Sequence, residues 1–200
     1  MNDAYKTIKA QSKGVYKEKK SKFYSFAYPV DNEDEIKEIL KNLRKEFYDA
    51  RHHCYAYRLG ADKKTFRAND DGEPSNSSGK PILGQIQSYD LTNIIIVVIR
   101  YFGGVLLGVG GLVNAYKTAA SEALINAEIV NKTVNSQINI KFDYKDLNKI
   151  MKIIKSHQLN VISQEFEMVC KISLSIRLAD VEYLIKQFDK VESLSFKIQE

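Results

Sequence analysis

The chain has 200 residues, a formal net charge of +5, 44% hydrophobic and 28% charged residues. This composition is typical of a globular protein and excludes disordered and fibrous classes. No apolar run approaches the roughly 20 residues of a membrane-spanning helix, and we expect no membrane partner. The chain begins without an apolar secretion signal, and Cys54 and Cys170 are far apart, as expected of reduced thiols. We therefore expect a cytoplasmic protein.

The positive charge is concentrated at the start of the chain. Residues 1–29 contain seven lysines against two acidic residues, Asp3 and Glu18, which accounts for the whole net charge of +5. A basic segment attracts nucleic acid or another acidic surface. Lysines on exposed strand edges also discourage aggregation, so a purely structural role remains open.

The first segments predict strands followed by a helix. Aromatic and alternating residues over 4–29 predict two or three antiparallel strands, with Gly14 at a turn. Asn32 and Glu35 have the spacing of a capping box, and apolar residues at helical intervals follow them. We predict an amphipathic helix that ends near Tyr48.

The middle of the chain predicts two further strands and two helices. Residues 51–59 are strand-like, and residues 61–78 form a polar loop. A helix is expected to open at Gly79, because Pro81 fits a first helical turn. Residues 92–100 lack alternation, which predicts a strand buried on both faces. A helix follows from near residue 112 to about residue 127.

Residues 100–112, which join this buried strand to the following helix, hold five of the ten glycines: Gly103, Gly104, Gly108, Gly110 and Gly111. Glycine permits positive φ and close approach to the backbone, at a cost in conformational entropy. The segment is therefore either a tightly packed turn or an anion-binding loop at a helix N-terminus. The residues alone leave both interpretations open.

The pattern changes after a short linker at residues 131–133, which indicates a second domain over residues 134–200. Its predicted element order is βαββαβ, the ferredoxin-like arrangement. Alternation over residues 166–178 is too long for one strand of this domain, so we predict a turn within residues 165–169. No catalytic cluster is evident there.

Three carboxylates, Asp70, Asp71 and Glu73, lie in the polar loop. Mg²⁺ favours a few carboxylates with water or phosphate oxygens, which makes these residues weak metal candidates. A solvated loop with Asx-type turns is the alternative. The adjacent His52, His53 and Cys54 do not have the spacing of a structural zinc site. No known nucleotide or hydrolase motif is present, and no catalytic residue is assigned.

Several sequence blocks together resemble the signature of the YigZ/Impact family. They are residues 21–23, 50–58, 70–75, 79–83, 100–104 and 107–112. Residues 76–78 depart from it, with Asn-Ser-Ser where many relatives have Gly-Thr-Ala. The resemblance implies an α+β fold, with an N-terminal ribosomal protein S5 domain 2-like domain over residues 1–130. A C-terminal ferredoxin-like βαββαβ domain would occupy residues 134–200.

The resemblance also implies a link to translation, because eukaryotic relatives regulate translation and bacterial members have a proposed nucleic-acid or ribosome-linked role. We expect a non-catalytic protein without a resident cofactor that binds RNA or a ribosome-associated surface. One alternative is an enzyme for a phosphate-bearing small molecule, with Mg²⁺ at the carboxylate loop. Another is an adaptor that binds protein alone.

One ligand-binding cleft is predicted to gather the polar and glycine residues of the signature blocks. These are Arg51, His53, Arg58, Asp70, Asp71, Glu73, Lys80, Arg100, Tyr101, Gly103, Gly104, Gly108, Gly110 and Gly111.

Overall fold

The computed structural model describes residues 3–199, which divide into two compact units. The larger unit contains residues 5–132, and the smaller contains residues 133–199 with Asp3 and Ala4. Within the described residues there are eleven β-strands and five α-helices, a mixed α/β architecture. No helix in this range is long and apolar enough to cross a membrane.

The elements follow one another along the chain in this order. They are β1 (Ala4–Ile8), β2 (Ser12–Glu18), β3 (Ser21–Pro29), α1 (Glu33–Glu46), β4 (His52–Leu59), β5 (Thr65–Asn69), α2 (Gly79–Ser88), β6 (Ile94–Tyr101), α3 (Gly108–Ile125), β7 (Ile129–Thr133), β8 (Asn135–Asp143), α4 (Leu147–Ser156), β9 (Asn160–Glu165), β10 (Val169–Arg177), α5 (Val181–Phe188) and β11 (Ser195–Gln199).

The larger unit is built on an antiparallel sheet with helices on both faces. Its strand order is β2-β3-β6-β4-β5, with β6 in the centre. Helices α2 and α3 pack on one face, and α1 packs on the other. All residues of β6 up to Arg100 are buried, which confirms the prediction of a strand covered on both sides.

Three local predictions for this unit were wrong. Gly14 lies inside β2 rather than at a turn, because α3 packs so closely that a Cβ there would lie 2.6 Å from the Ala123 nitrogen. The predicted polar loop contains β5, which extends the sheet beside β4. The predicted linker at residues 131–133 belongs to β7, which pairs with β1 in a separate two-stranded sheet.

The smaller unit has the element order βαββαβ, from β8 to β11, and the sheet order β11-β8-β10-β9. Alternate residues of β8 and β10 face a core shared with α4 and α5. Residues 166–168 connect β9 to β10, so the predicted turn is confirmed. Asp3 belongs to this unit and not to the N-terminal domain predicted for it, because Arg177 Nε and Nη2 donate to its carboxylate at 2.8 Å.

Candidate functional site

The carboxylate of Asp70 caps the N-terminus of α2. Its Oδ1 accepts hydrogen bonds from the backbone of Ser78 and Gly79 at 3.0 and 2.8 Å, and from Ser78 Oγ at 2.7 Å. Oδ2 accepts from the Asn76 N–H at 2.8 Å. Burial opposes ionisation, but these hydrogen bonds outweigh it and lower the pKa of Asp70. The positive end of α2 is therefore occupied by the chain's own carboxylate.

Asp71 holds the loop against the end of the sheet. Its Oδ2 accepts from the His53 N–H at 2.7 Å, and its Oδ1 accepts from Arg44 Nη2 at 2.7 Å. The His53 side chain is buried on the α1 side of the sheet, 4.0 Å from Asp71 through Nδ1. Burial and the nearby Arg44 cation lower the pKa of His53, against the opposing effect of Asp71.

Glu73 is the acceptor of a buried polar network beneath the loop. Its Oε1 accepts from Arg100 Nη1 at 2.6 Å and from the Tyr116 hydroxyl at 2.8 Å. The Cys54 thiol lies 3.3 Å from that hydroxyl and is fully buried. Burial raises the pKa of Tyr116 and raises the pKa of Cys54 to about 12. Cys54 is thus a packed thiol and not an activated nucleophile.

The three loop carboxylates do not gather around a common point, since each binds a different set of protein donors. No group of three or more His, Cys, Asp or Glu side chains within residues 3–199 is arranged to hold a metal ion. The weak metal assignment to Asp70, Asp71 and Glu73 therefore has no geometric support in the described chain.

The glycine-rich segment packs directly on the turn between β2 and β3. A Cβ on Gly103 would lie 2.1 Å from the Lys20 carbonyl carbon and 2.2 Å from the Ser21 nitrogen, so only glycine fits. The Gly103 N–H donates to Ser21 Oγ at 3.1 Å. Gly104 and Gly108 have positive φ values of 83° and 69°. Close packing therefore requires glycine at Gly103, whereas positive φ favours glycine at Gly104 and Gly108, where a Cβ would meet no atom within 4 Å.

The same contact brings four exposed lysines, Lys17, Lys19, Lys20 and Lys22, beside the glycine-rich segment; we call this group the lysine hairpin. Lys19 and Lys20 form a two-residue turn, and both have positive φ, 43° and 68°. Such turns strongly favour Asn-Gly, so lysine at both positions is strained. Lys17 and Lys22 lie directly opposite each other, where like charges are unfavourable.

A cleft of about 390 Å³ opens between the glycine-rich segment and the carboxylate loop of the larger unit. Its lining residues are Arg51, His52, Glu73, Pro74, Arg100, Phe102, Leu106, Leu107, Gly108, Val109 and Leu112. Arg100 and Glu73 provide a buried ion pair, whereas Leu106 and Val109 are 83% and 58% exposed. The cleft therefore combines buried charge with an exposed apolar edge, which we call the apolar lip (Phe102, Leu106 and Val109).

Four of the predicted site residues line this cleft: Arg51, Glu73, Arg100 and Gly108. Arg58 lies six residues along β4 from His52, about 20 Å away at the rise of a strand, and its Nε donates to the Leu91 carbonyl at 2.6 Å. Tyr101 faces α1, and a hydrogen bond to Asp49 and burial raise its pKa to about 12.

The remaining predicted residues also lie outside the lining. Gly103, Gly104, Gly110 and Gly111 belong to the adjoining segment, and Asp70, Asp71 and His53 support the loop from behind. Lys80 is exposed in the first turn of α2. Of the residues predicted to gather in one cleft, the structure thus brings together Arg51, Glu73, Arg100 and Gly108 and leaves the others outside the lining.

Sequence reasoning missed the apolar lip, Leu107, Leu112, His52 and Pro74. The available signal was the presence of Phe102 and Leu106 among glycines, because large apolar side chains in an otherwise open loop are seldom needed for packing. The predicted cleft residue was His53, but this histidine faces α1, and it is His52, on the opposite face of β4, that lines the cleft.

Comparison with known proteins identifies the family. A model described as the Impact N-terminal domain matches residues 19–124, more than half of the chain. The chain belongs to the Impact family. It is 31% identical over 183 residues to the IMPACT family member of Haemophilus influenzae, covering 90% of this chain and 89% of that protein. It is 33% identical over 165 residues to IMPACT family member YigZ of Escherichia coli, covering 82% and 81%.

A solved structure is also similar to this chain over almost its whole length. A crystal structure described as that of a hypothetical protein matches with a TM-score of 0.73 and 29% identity, covering 99% of this chain and 97% of the other. The Impact family match, over residues 19–124, includes three of the four hairpin lysines (Lys19, Lys20 and Lys22), the carboxylate loop and the glycine-rich segment. The cleft therefore lies within the shared domain.

Proposed function

We propose that this Impact family chain is a non-catalytic, translation-linked protein that binds RNA through the lysine hairpin and the adjoining cleft. The observation that carries the proposal is the contact of Gly103 with Lys20 and Ser21, which joins the basic segment to the glycine-rich segment. The translation link rests on the family resemblance, and the choice of RNA rests on charge.

The local charge supports an anionic partner. None of the four hairpin lysines has an ion pair within 4.0 Å among the described residues, and neither has Arg51 at the edge of the cleft. Unpaired cations repel one another, so an acidic partner relieves that cost. Phosphate groups along an RNA strand supply such charge at regular spacing.

The strain in the hairpin is a second support. Positive φ at Lys19 and Lys20 costs on the order of 1 kcal/mol each, and the facing pair Lys17–Lys22 adds repulsion. Asn-Gly at the turn would remove both the strain and the charge. Rules of local structure are most often broken at functional sites, which favours a binding role for these lysines.

We also propose that the larger unit is the S5 domain 2-like domain and the smaller unit the ferredoxin-like domain implied by the resemblance. The element order βαββαβ and the antiparallel sheet order β11-β8-β10-β9 support the second assignment. The enzyme alternative is weaker, because it relied on Mg²⁺ at carboxylates that bind Arg44, Arg100 and the α2 N-terminus instead.

Titration of labelled single-stranded RNA by fluorescence anisotropy, at 50 and 200 mM salt, tests the proposal. Contacts from the four lysines and Arg51 to five phosphates predict an affinity loss of about 100-fold between these concentrations, from a slope of about −0.7 per phosphate. A weak affinity that is the same at both salt concentrations contradicts RNA binding. Pull-down with and without nuclease then distinguishes a protein-only adaptor, whose capture survives the nuclease.

A further inference from the structure

The N-terminus of α3 opens at the cleft without any anionic side chain to satisfy it. The helix has 18 residues, its N-cap Leu107 makes no side-chain cap hydrogen bond, and its first turn holds no acidic residue. Gly108 and Val109, the first two helical residues, line the cleft. Free N–H groups and the positive end of the dipole at this point favour a negative charge.

Arg100 supplies an independent observation at the same cleft. Its side chain is 93% buried yet lines the cleft, and its Nε has no hydrogen-bond partner. The guanidinium carbon lies over the rings of Phe23 and Phe102, at 5.5 and 5.6 Å from their centroids, while Nη1 donates to Glu73. The group is thus held rigidly, with only part of its donor capacity used by the protein.

The other residues that line the cleft indicate the chemistry of the rest of the ligand. Arg51 adds a cation at the edge without an ion-pair partner among the described residues. Pro74 and the apolar lip provide an apolar surface beside the buried Arg100–Glu73 ion pair. A phosphate attached to a planar, partly apolar body matches these two surfaces, which is the chemistry of a nucleotide.

We propose that the cleft binds the terminal phosphate of an RNA strand at the α3 N-terminus, with the attached nucleoside against the apolar lip. The inference rests on the proposed RNA-binding function and specifies which part of the RNA enters the cleft. A free mononucleotide carries the same chemistry, so the test must separate the two sources.

Gly110, the third residue of α3, is the position at which to test the site. Its φ is not positive, and a Cβ there would meet no atom within 4 Å, so a side chain fits without strain. Gly110→Asp places a carboxylate at the helix N-terminus and competes with an incoming phosphate. Gly110→Asn has nearly the same size without the charge, and is the matched control.

Binding of three otherwise identical oligoribonucleotides, with a 5′-phosphate, a 3′-phosphate or no terminal phosphate, is measured for wild type and both variants, together with AMP. We expect one of the two phosphorylated strands to bind about tenfold more tightly than the unphosphorylated strand. One additional charge-assisted hydrogen bond accounts for a difference of this size. Gly110→Asp abolishes this preference and Gly110→Asn retains it.

Equal affinity of wild type for all three strands, without binding of AMP, overturns the phosphate site but leaves RNA binding through the lysine hairpin intact. Equal loss of the preference in both variants overturns it too, because the effect would then be steric. Binding of AMP that only Gly110→Asp weakens, with no binding of any strand, supports the site and contradicts RNA as its source.

Discussion

Gly103 and Lys20 touch through their backbones: a Cβ on Gly103 would lie 2.1 Å from the Lys20 carbonyl carbon. We expect Gly103→Ala to lower the free energy of unfolding by about 1–3 kcal/mol, because the backbone atoms must separate. Chemical denaturation measures this change. Gly84→Ala in α2 is the control, since its Cβ meets nothing within 4 Å and should stabilise the helix slightly. Equal stability of the two variants would contradict the contact.

The cap formed by Asp70 predicts a second effect on stability. Asp70→Ala leaves the Ser78 and Gly79 N–H groups without their acceptor and should cost about 2 kcal/mol. Asp70→Asn keeps one acceptor oxygen and should cost less. If the alanine variant instead unfolds at the same denaturant concentration as wild type, Asp70 is not a structural cap.

The Glu73–Arg100 pair predicts coupled effects in a double-mutant cycle. Glu73→Gln leaves the buried Arg100 cation without its counter-charge and should cost about 3 kcal/mol, and Arg100→Met should likewise destabilise the fold. The double variant removes both charges and should lose less than the sum of the single variants. Strict additivity, measured by denaturation, would show that the two side chains do not interact.

Burial of His53 makes stability depend on pH. The folded pKa lies below the ordinary value of 6.5, so the unfolded chain binds more protons as the pH falls through and below 6.5. The stabilising effect of neutral His53 is complete above that pH and decreases towards the lower folded pKa. Denaturation curves between pH 7.5 and 5 should show this decrease, and His53→Gln should reduce it. An unchanged pH profile in the variant would assign the dependence to other groups.

Local patterns in the sequence predicted elements better than they predicted the site. The unbroken apolar run of β6 indicates burial on both faces, and the helical spacing of apolar residues in α1 indicates one buried face. Both elements were predicted within a few residues of their observed bounds. Gly14 was wrongly assigned to a turn, because glycine is required there by the packing of α3. The contacting residue of that helix, Ala123, lies more than 100 positions later in the chain.

The cleft depends on contacts that no local pattern contains. Ser21 and Gly103 are 82 positions apart, so the sequence does not indicate that the lysine hairpin adjoins the glycine-rich segment. Alternation along β4 separates His52 from His53, but only the packing of α1 against one face of the sheet shows which histidine reaches the cleft. Likewise, the closeness of Asp70, Asp71 and Glu73 in the sequence does not show that their carboxylates bind three different sets of donors.

Replacement of the strained turn by Asn-Gly, as Lys19→Asn with Lys20→Gly, tests RNA binding through the lysine hairpin most directly. We expect the free energy of unfolding to rise by about 2 kcal/mol, because both positive-φ positions then carry preferred residues. In the same preparation, RNA affinity at 50 mM salt should fall at least tenfold, and the slope of log affinity against log salt concentration should decrease by about 1.4, since two phosphate contacts are lost at about 0.7 each. A stabilised variant that binds RNA as tightly as wild type, with the same salt slope, would contradict the proposed function.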